Sequence, residues 1–200
     1  MTSGFAGLLT GLSLIIAIGA QNAYVLSQGL ARSHVGLTVA ICAVSDALLI
    51  AAGVSGVGAV VRSNPGVLTG LKWVGAAYLV AYGLRSLWNA RRPHALDASG
   101  RRATRSRLAV ATTTLALTYL NPHVYLDTVL MLGSIANQYG ADGRWHFAVG
   151  AATGSVLWFS CLGYGAGAAT RVVSRPSAWQ VLDVTIGVVM ILLAARLLLA

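Results

Sequence analysis

Leu120-Asn121-Pro122-His123-Val124-Tyr125-Leu126-Asp127-Thr128 lies within an apolar stretch that extends over about residues 108–137. Asparagine, proline, histidine and aspartate are poor guests in hydrocarbon, and an ionisable side chain at that depth costs ~3 kcal/mol even on lenient insertion scales. Proline also frees backbone groups, which persist at such depth only where protein or a water-filled cavity satisfies them again. The stretch therefore predicts a helix broken inside a membrane span, at a place suited to meeting a solute.

The rest of the chain reads as membrane protein. Apolar residues make up 56% of the 200 positions and charged residues 10%, and glutamate is absent. Runs of ~18 apolar residues or more predict spanning helices, and six occur, at about 4–30, 35–61, 67–88, 108–137, 145–169 and 178–199. The first cationic residue is Arg32, so the N-terminal stretch lacks the charged start of a secretory signal and is expected to remain as a helix. Cys42 and Cys161 both fall in spans and are expected to pack as small apolar side chains.

The net charge of +9 is unevenly spread. Arg85, Arg91, Arg92, Arg101, Arg102, Arg105 and Arg107 lie in or beside the loop at 89–107, which the positive-inside rule places in the cytoplasm. Six spans then bring Arg32, Arg171 and Arg175 to the same side, and both termini face outward. Such a loop sets topology and meets anionic lipid heads. It has no aromatic residue on which bases could stack, which argues against nucleic acid as a partner.

The two halves of the chain resemble each other. Ala23-Tyr24-Val25 matches Val124-Tyr125-Leu126 at an offset of 101, and each follows a polar interruption, Gln21-Asn22 or Asn121-Pro122-His123. Leu71-Lys72 matches Leu182-Asp183 and Arg85 matches Arg196, both at an offset of 111. Three spans per copy is an odd number, so the second copy enters the membrane inverted. Inverted repeats with interrupted helices characterise secondary transporters, whose site lies near the midplane between the copies. The expected fold is all-α, with about six transmembrane helices in two inverted three-helix repeats, 1–88 and 108–200, joined by the basic loop at 89–107. Spans one and four are expected to break near the midplane, at 19–22 and 121–123. One apolar segment could instead be re-entrant.

The breaks suggest a chemistry. Asn121 is a good N-cap and Pro122 a good first helical residue, so a half-helix is expected to start there. Its unpaired N–H groups and positive dipole end would receive a carboxylate. Gln21 and Asn22 could do the same from the other repeat, with Gly19 allowing a tight turn. Asp127 follows His123 by four residues, on the same helix face, and Asp46 is an acid midway along span two. Two acids and two half-helix starts suit a ligand with amino and carboxylate groups, and the extra acid favours a cationic side chain. The candidate binding residues are Gln21, Asn22, Tyr24, Asp46, Asn121, Pro122, His123, Tyr125 and Asp127, with Asp46, His123 and Asp127 as proton-coupling candidates. Against these stand plainer roles: Asp46 pairing with Lys72 or an arginine, Asp127 with His123, His123 capping a carbonyl, Pro122 as a kink, and the two tyrosines as packing residues. The Gly-xxx-Gly pairs at Gly7/Gly11, Gly66/Gly70, Gly150/Gly154 and Gly163/Gly167 are expected to serve close helix packing within the chain.

Three motifs together are similar to those of a known family. Gly19-Ala20-Gln21-Asn22-Ala23-Tyr24-Val25-Leu26 with Gln28-Gly29, Cys42-Ala43-Val44-Ser45-Asp46, and Leu120 to Thr128 resemble, in order, the first-, second- and fourth-helix motifs of the LysE/ArgO basic amino-acid exporters. The resemblance covers essentially the whole chain. It implies a multi-pass carrier of the bacterial cytoplasmic (inner) membrane that exports L-lysine and/or L-arginine, driven by the electrochemical gradient. His123 after the proline and Asp127 match the branch with basic substrates.

Moving one positive charge outward against the membrane potential costs ~2.3 kcal/mol per 100 mV, so export of a basic amino acid needs compensation, most simply by inward protons. The expectation is an antiporter working by alternating access, with protons and membrane lipids as further partners, a homo-oligomer possible, and no cofactor, metal or enzymatic activity. Export of neutral amino acids or another small solute is the main alternative. Metal transport would need more ligands than His123, Asp127 and Asp46 provide. ATP drive would need a phosphate-binding Gly-Lys-Ser/Thr motif, which is not present.

Overall fold

The computed structural model describes residues 2–16, 19–56, 65–91, 106–168 and 176–199. All regular structure among them is helical. In order, the elements are α1 (Thr2–Ile15), α2 (Ala20–Ala31), α3 (Val35–Val54), α4 (Pro65–Ala90) and α5 (Arg107–Tyr119), then α6 (Pro122–Val124), which runs into a π-helical stretch (Tyr125–Leu132) and α7 (Gly133–Asn137). The long α8 (Gly140–Ala168) and α9 (Pro176–Leu199) complete the chain. Most of the basic loop lies outside the described residues, including Arg92, Arg101, Arg102 and Arg105, as do Arg62, Arg171 and Arg175.

Among the described residues, three helices are long and apolar enough to cross a bilayer: α3, α8 over Gly140–Gly167, and α9 over Gln180–Leu199. A fourth span results if α1 and α2 are taken together, their axes bent by 84°. The chain is an integral membrane protein on this composition. The fourth apolar stretch is divided between α5, of 13 residues, and the run from α6 to α7, because the chain leaves the helix at Leu120 and Asn121. Large apolar side chains face outward along these helices, among them Leu9, Val44, Leu48, Val149, Val156, Val181 and Leu192. In water such a surface would be a liability, whereas in lipid it is the expected exterior.

With lipid outside, tight packing of small residues has to hold the helices together. α1 lies along α8, α4 along α9, and α3 and α2 also rest on α8. Gly7 and Gly11 of α1 abut the backbone of Phe147 and Ala151, while Gly150 of α8 abuts Gly4. Gly29 of α2 abuts Gly163 and Ala166, and Gly53 of α3 abuts Val129 and Gly133. Gly66 and Gly70 behave differently from expectation: nothing lies within 4 Å of where a Cβ would be. Their spacing matches the motif, but among the described residues no helix lies against that side of α4. Gly140 enters α8 at φ +75, a left-handed conformation that glycine adopts without cost.

A methyl group at Gly7 or Gly150 would meet backbone that cannot move aside. Gly7→Ala and Gly150→Ala are each expected to lower stability by about 1–3 kcal/mol, as overpacking does. Gly66→Ala and Gly70→Ala should leave stability unchanged or slightly raised. Thermal unfolding of the purified protein in detergent checks both pairs.

Candidate functional site

The two helix breaks are repaired in the same way. At the first, α2 starts at Ala20 behind Gly19, so Gln21 and Asn22 occupy its first turn and not the interruption itself. Gly19 has φ −127 and ψ 171, extended backbone open to any residue, and no tight turn is required of it. The Asn22 amide donates to the carbonyl of Ile15 at 2.7 Å, a group left without a helical partner where α1 ends. The Asn22 carbonyl oxygen accepts from the Trp158 indole at 3.3 Å, which ties the break to α8.

At the second break Asn121 is the N-cap, its side-chain oxygen accepting from the His123 N–H at 3.1 Å, with Pro122 as the first helical residue. The Tyr125 hydroxyl donates back to the carbonyl of Tyr119 at 3.0 Å. In each break a side chain from the second helix thus takes a carbonyl abandoned by the first. Gly75 of α4 presses against Leu120 and Pro122 and covers the interruption from the side.

The N-termini differ in what they leave free. At α6, Pro122 has no N–H, His123 donates to Asn121 Oδ1, and Val124 donates to the Asn121 carbonyl. The donors expected to greet an anion there are already used. At α2 the first helical N–H groups have no acceptor within the helix, and the cavity wall includes Gly19, Ala20, Gln21 and Asn22.

These breaks border a cavity of about 230 Å³. Its wall also holds Asp46, Asn121, His123 and Asp127, so six of the nine candidate residues meet there. Asp46 is buried and accepts a hydrogen bond from the Ser155 hydroxyl at 2.7 Å. Gln21 lies against Cys42, and its buried amide nitrogen has no hydrogen-bond partner among the described residues. Asp127 is within electrostatic reach of His123 and of Arg196. It lies on π-helical turns, which take more than four residues each, so His123 and Asp127 sit slightly closer around the axis than α-helical spacing implies.

Three candidates lie off the cavity wall. Tyr24 is fully buried in an apolar cluster with Leu79, Met190 and Leu197, its ring edge-on to Tyr82. Tyr125 is engaged with Tyr119, and Pro122 is buried behind the cap. Conversely, Ser155 and Arg196 line the cavity although the motifs did not single them out, and Thr128, at the end of the broken-helix motif but given no role there, lines it too. A serine in an apolar span carries no distinguishing pattern in the sequence. Arg196 did carry one, as a lone cation in the last span, but its depth was not readable.

Among the described residues, no three His, Cys, Asp or Glu side chains gather to hold a metal ion. A cavity among apolar helices, bordered by two helix breaks and lined by two carboxylates, is the arrangement that membrane transport proteins use. Comparison with known proteins agrees. The LysE type translocator family matches residues 12–200, and the chain belongs to that family. It is 38% identical over 226 residues to the lysine exporter LysE of Corynebacterium diphtheriae, covering 99% of both chains. The Corynebacterium efficiens protein of the same name is 36% identical over 96% of each chain. A Mycobacterium tuberculosis protein, provisionally named an amino-acid transporter, is 42% identical over 90% of this chain and 89% of its own. No solved structure matches the chain.

Removing the Tyr125 hydroxyl strands the half-buried Tyr119 carbonyl but takes nothing from the cavity wall. Tyr125→Phe is therefore expected to destabilise the protein by about 1–3 kcal/mol while leaving the ranking of transported substrates unchanged. Asn22→Ala should cost at least as much, since Asn22 serves two partners. Melting curves paired with transport competition assays check both.

Proposed function

We propose that this protein is a secondary carrier that exports basic L-amino acids, lysine and/or arginine, from the cytoplasm in exchange for protons. The observation that carries this reading is the meeting of Asp46, from α3, with Asp127, from the π-helical stretch, on one small cavity. Cavities that take drug-sized ligands run to ~300–1,000 Å³, so about 230 Å³ suits a solute the size of an amino acid. Two carboxylates match the two cationic groups of a dibasic amino acid. The relatives named lysine exporter, similar over almost their full length, support the same substrate class.

Ser155 holds Asp46 in one orientation by a charge-assisted hydrogen bond, which keeps the carboxylate ready for a cation. Loading from the cytoplasm places the substrate's ammonium groups on Asp46 and Asp127. Protonation of these carboxylates from outside, with His123 as relay, releases the substrate and compensates the charge carried outward. Asp46 and Ile50 lie in the second half of α3, and Leu193, Arg196 and Leu197 in the last turns of α9. With the basic loop in the cytoplasm, those are the outer halves, and the form described here faces outward. The contact of Gly29 with Gly163, together with the bond from Arg32 Nη2 to the Gly167 carbonyl at 2.9 Å, closes the inner side.

The contacts also suit an inverted repeat of three spans each. α3 packs on α8 and α4 on α9, each the counterpart of its partner in the other half. The glycine crossings exchange in the same way: Gly29 of the first half meets α8, and Gly53 of α3 meets the broken span of the second.

Proteoliposomes loaded with labelled L-lysine or L-arginine, under an imposed proton gradient and membrane potential, test the proposal. Gradient-driven efflux of the basic pair is expected, with threonine and leucine retained. Asp46→Asn and Asp127→Asn should each reduce efflux at least tenfold, since one lost charge-assisted contact is worth ~1.5–3 kcal/mol. Efflux of threonine or leucine in place of the basic pair would move the protein to neutral substrates and remove the proposed role of both aspartates.

A further inference from the structure

One charged group on the cavity wall has no part in that cycle. Arg196 stands in the last turn of α9, an exposed residue that also lines the cavity holding Asp46 and Asp127. A fixed guanidinium repels a cationic cargo, so its presence in a cation carrier needs a reason. We propose that Arg196 receives the α-carboxylate of the substrate and so makes the carrier selective for amino acids over amines of the same length. The inference rests on the export reading above and adds a third point of attachment to it.

The position of α9 supports this role. Ala194 and Leu197 on either side of Arg196 pack in one cluster with Ala20 and Tyr24, which fixes the end of α9 against the start of α2. Arg196 therefore shares its part of the cavity wall with Gly19, Ala20 and Gln21, where backbone N–H groups have no helical acceptor. The start of α6 offers no equivalent, because its N–H groups are bonded to Asn121. A planar guanidinium matches a carboxylate through two parallel hydrogen bonds, a geometry that an ammonium lacks.

Charge bookkeeping points the same way. With both carboxylates ionised, the wall carries two negative groups and one positive, and a basic amino acid carries two positive groups and one negative. Each group of the substrate then has a counterpart of opposite sign. Asp127 lies within electrostatic reach of Arg196, so the two charges stand on the same part of the wall. An entering substrate would give its carboxylate to Arg196 and an ammonium group to Asp127.

The test compares efflux of L-lysine with that of 1,5-diaminopentane, which has the same two ammonium groups and no carboxylate, from proteoliposomes of wild type, Arg196→Gln and Arg196→Lys. Wild type is expected to prefer lysine, Arg196→Gln to lose about tenfold to a hundredfold of that preference, and Arg196→Lys to retain part of it. The loss should fall on lysine, with diamine efflux kept or raised as the repulsion disappears. An unchanged preference in both variants would overturn the inference and leave the carboxylate with the start of α2. Equal handling of lysine and the diamine by wild type would overturn it too, with basic export still standing. Movement of neither compound by wild type would remove the export reading, and this inference with it. Arg196 sits in the exposed last turn of α9, and should Arg196→Gln still fail to assemble, the shift in Arg196→Lys alone decides the question.

Discussion

Two interruptions of helical backbone inside an apolar surround are the constraint from which the rest of this structure follows. Every carbonyl or N–H that leaves a helix in hydrocarbon must find another partner, since water is not there to supply one. Asn22 answers for Ile15 and Tyr125 for Tyr119, while Asn121 closes the start of the second broken helix on itself. These bonds hold polar side chains at the two breaks, and the cavity lies beside them. Without the repairs the breaks would be sites of unfolding. With them, the breaks become fixed walls for a polar solute.

The surrounding packing keeps those walls in register. Glycine-to-backbone contacts between α1 and α8, between α2 and α8, and between α3 and the broken span bring helix axes close enough for residues of all these elements, together with α4 and α9, to line one cavity. Close approach also makes the contacts nearly all-or-none, because backbone cannot deform as a side chain can. The Gly29–Gly163 crossing is one such contact, with the bond from Arg32 to the Gly167 carbonyl beside it.

The electrostatic arrangement inside combines poles of both signs. Asp46 is held by Ser155 on one side, and Asp127 stands between His123 and Arg196 on the other. Placing a charge in the membrane interior is costly, and each of these groups offsets that cost through a neighbour. The same neighbours give the cavity wall charged groups of both signs at fixed places.

The residue pattern alone carried much of this. The apolar runs give the helices, Asn121 followed by Pro122 gives the second break and its cap, and the three motifs give the family, because all depend on neighbours in the chain. The exact start of α2 was displaced by a few residues, since no proline marks it and the deciding bond reaches back from Asn22 to Ile15. Local sequence also could not tell which sides of α4 would be covered, so Gly66 and Gly70 looked like packing positions although they face open space. Nor could it separate Tyr24 and Tyr125, turned into packing and repair, from Asp46, Asp127 and Arg196, turned into the cavity. That division depends on how helices distant in sequence lean on one another. Chain-local chemistry determined that this protein would bring charge into a membrane, and only the tertiary structure decided which charges face each other there.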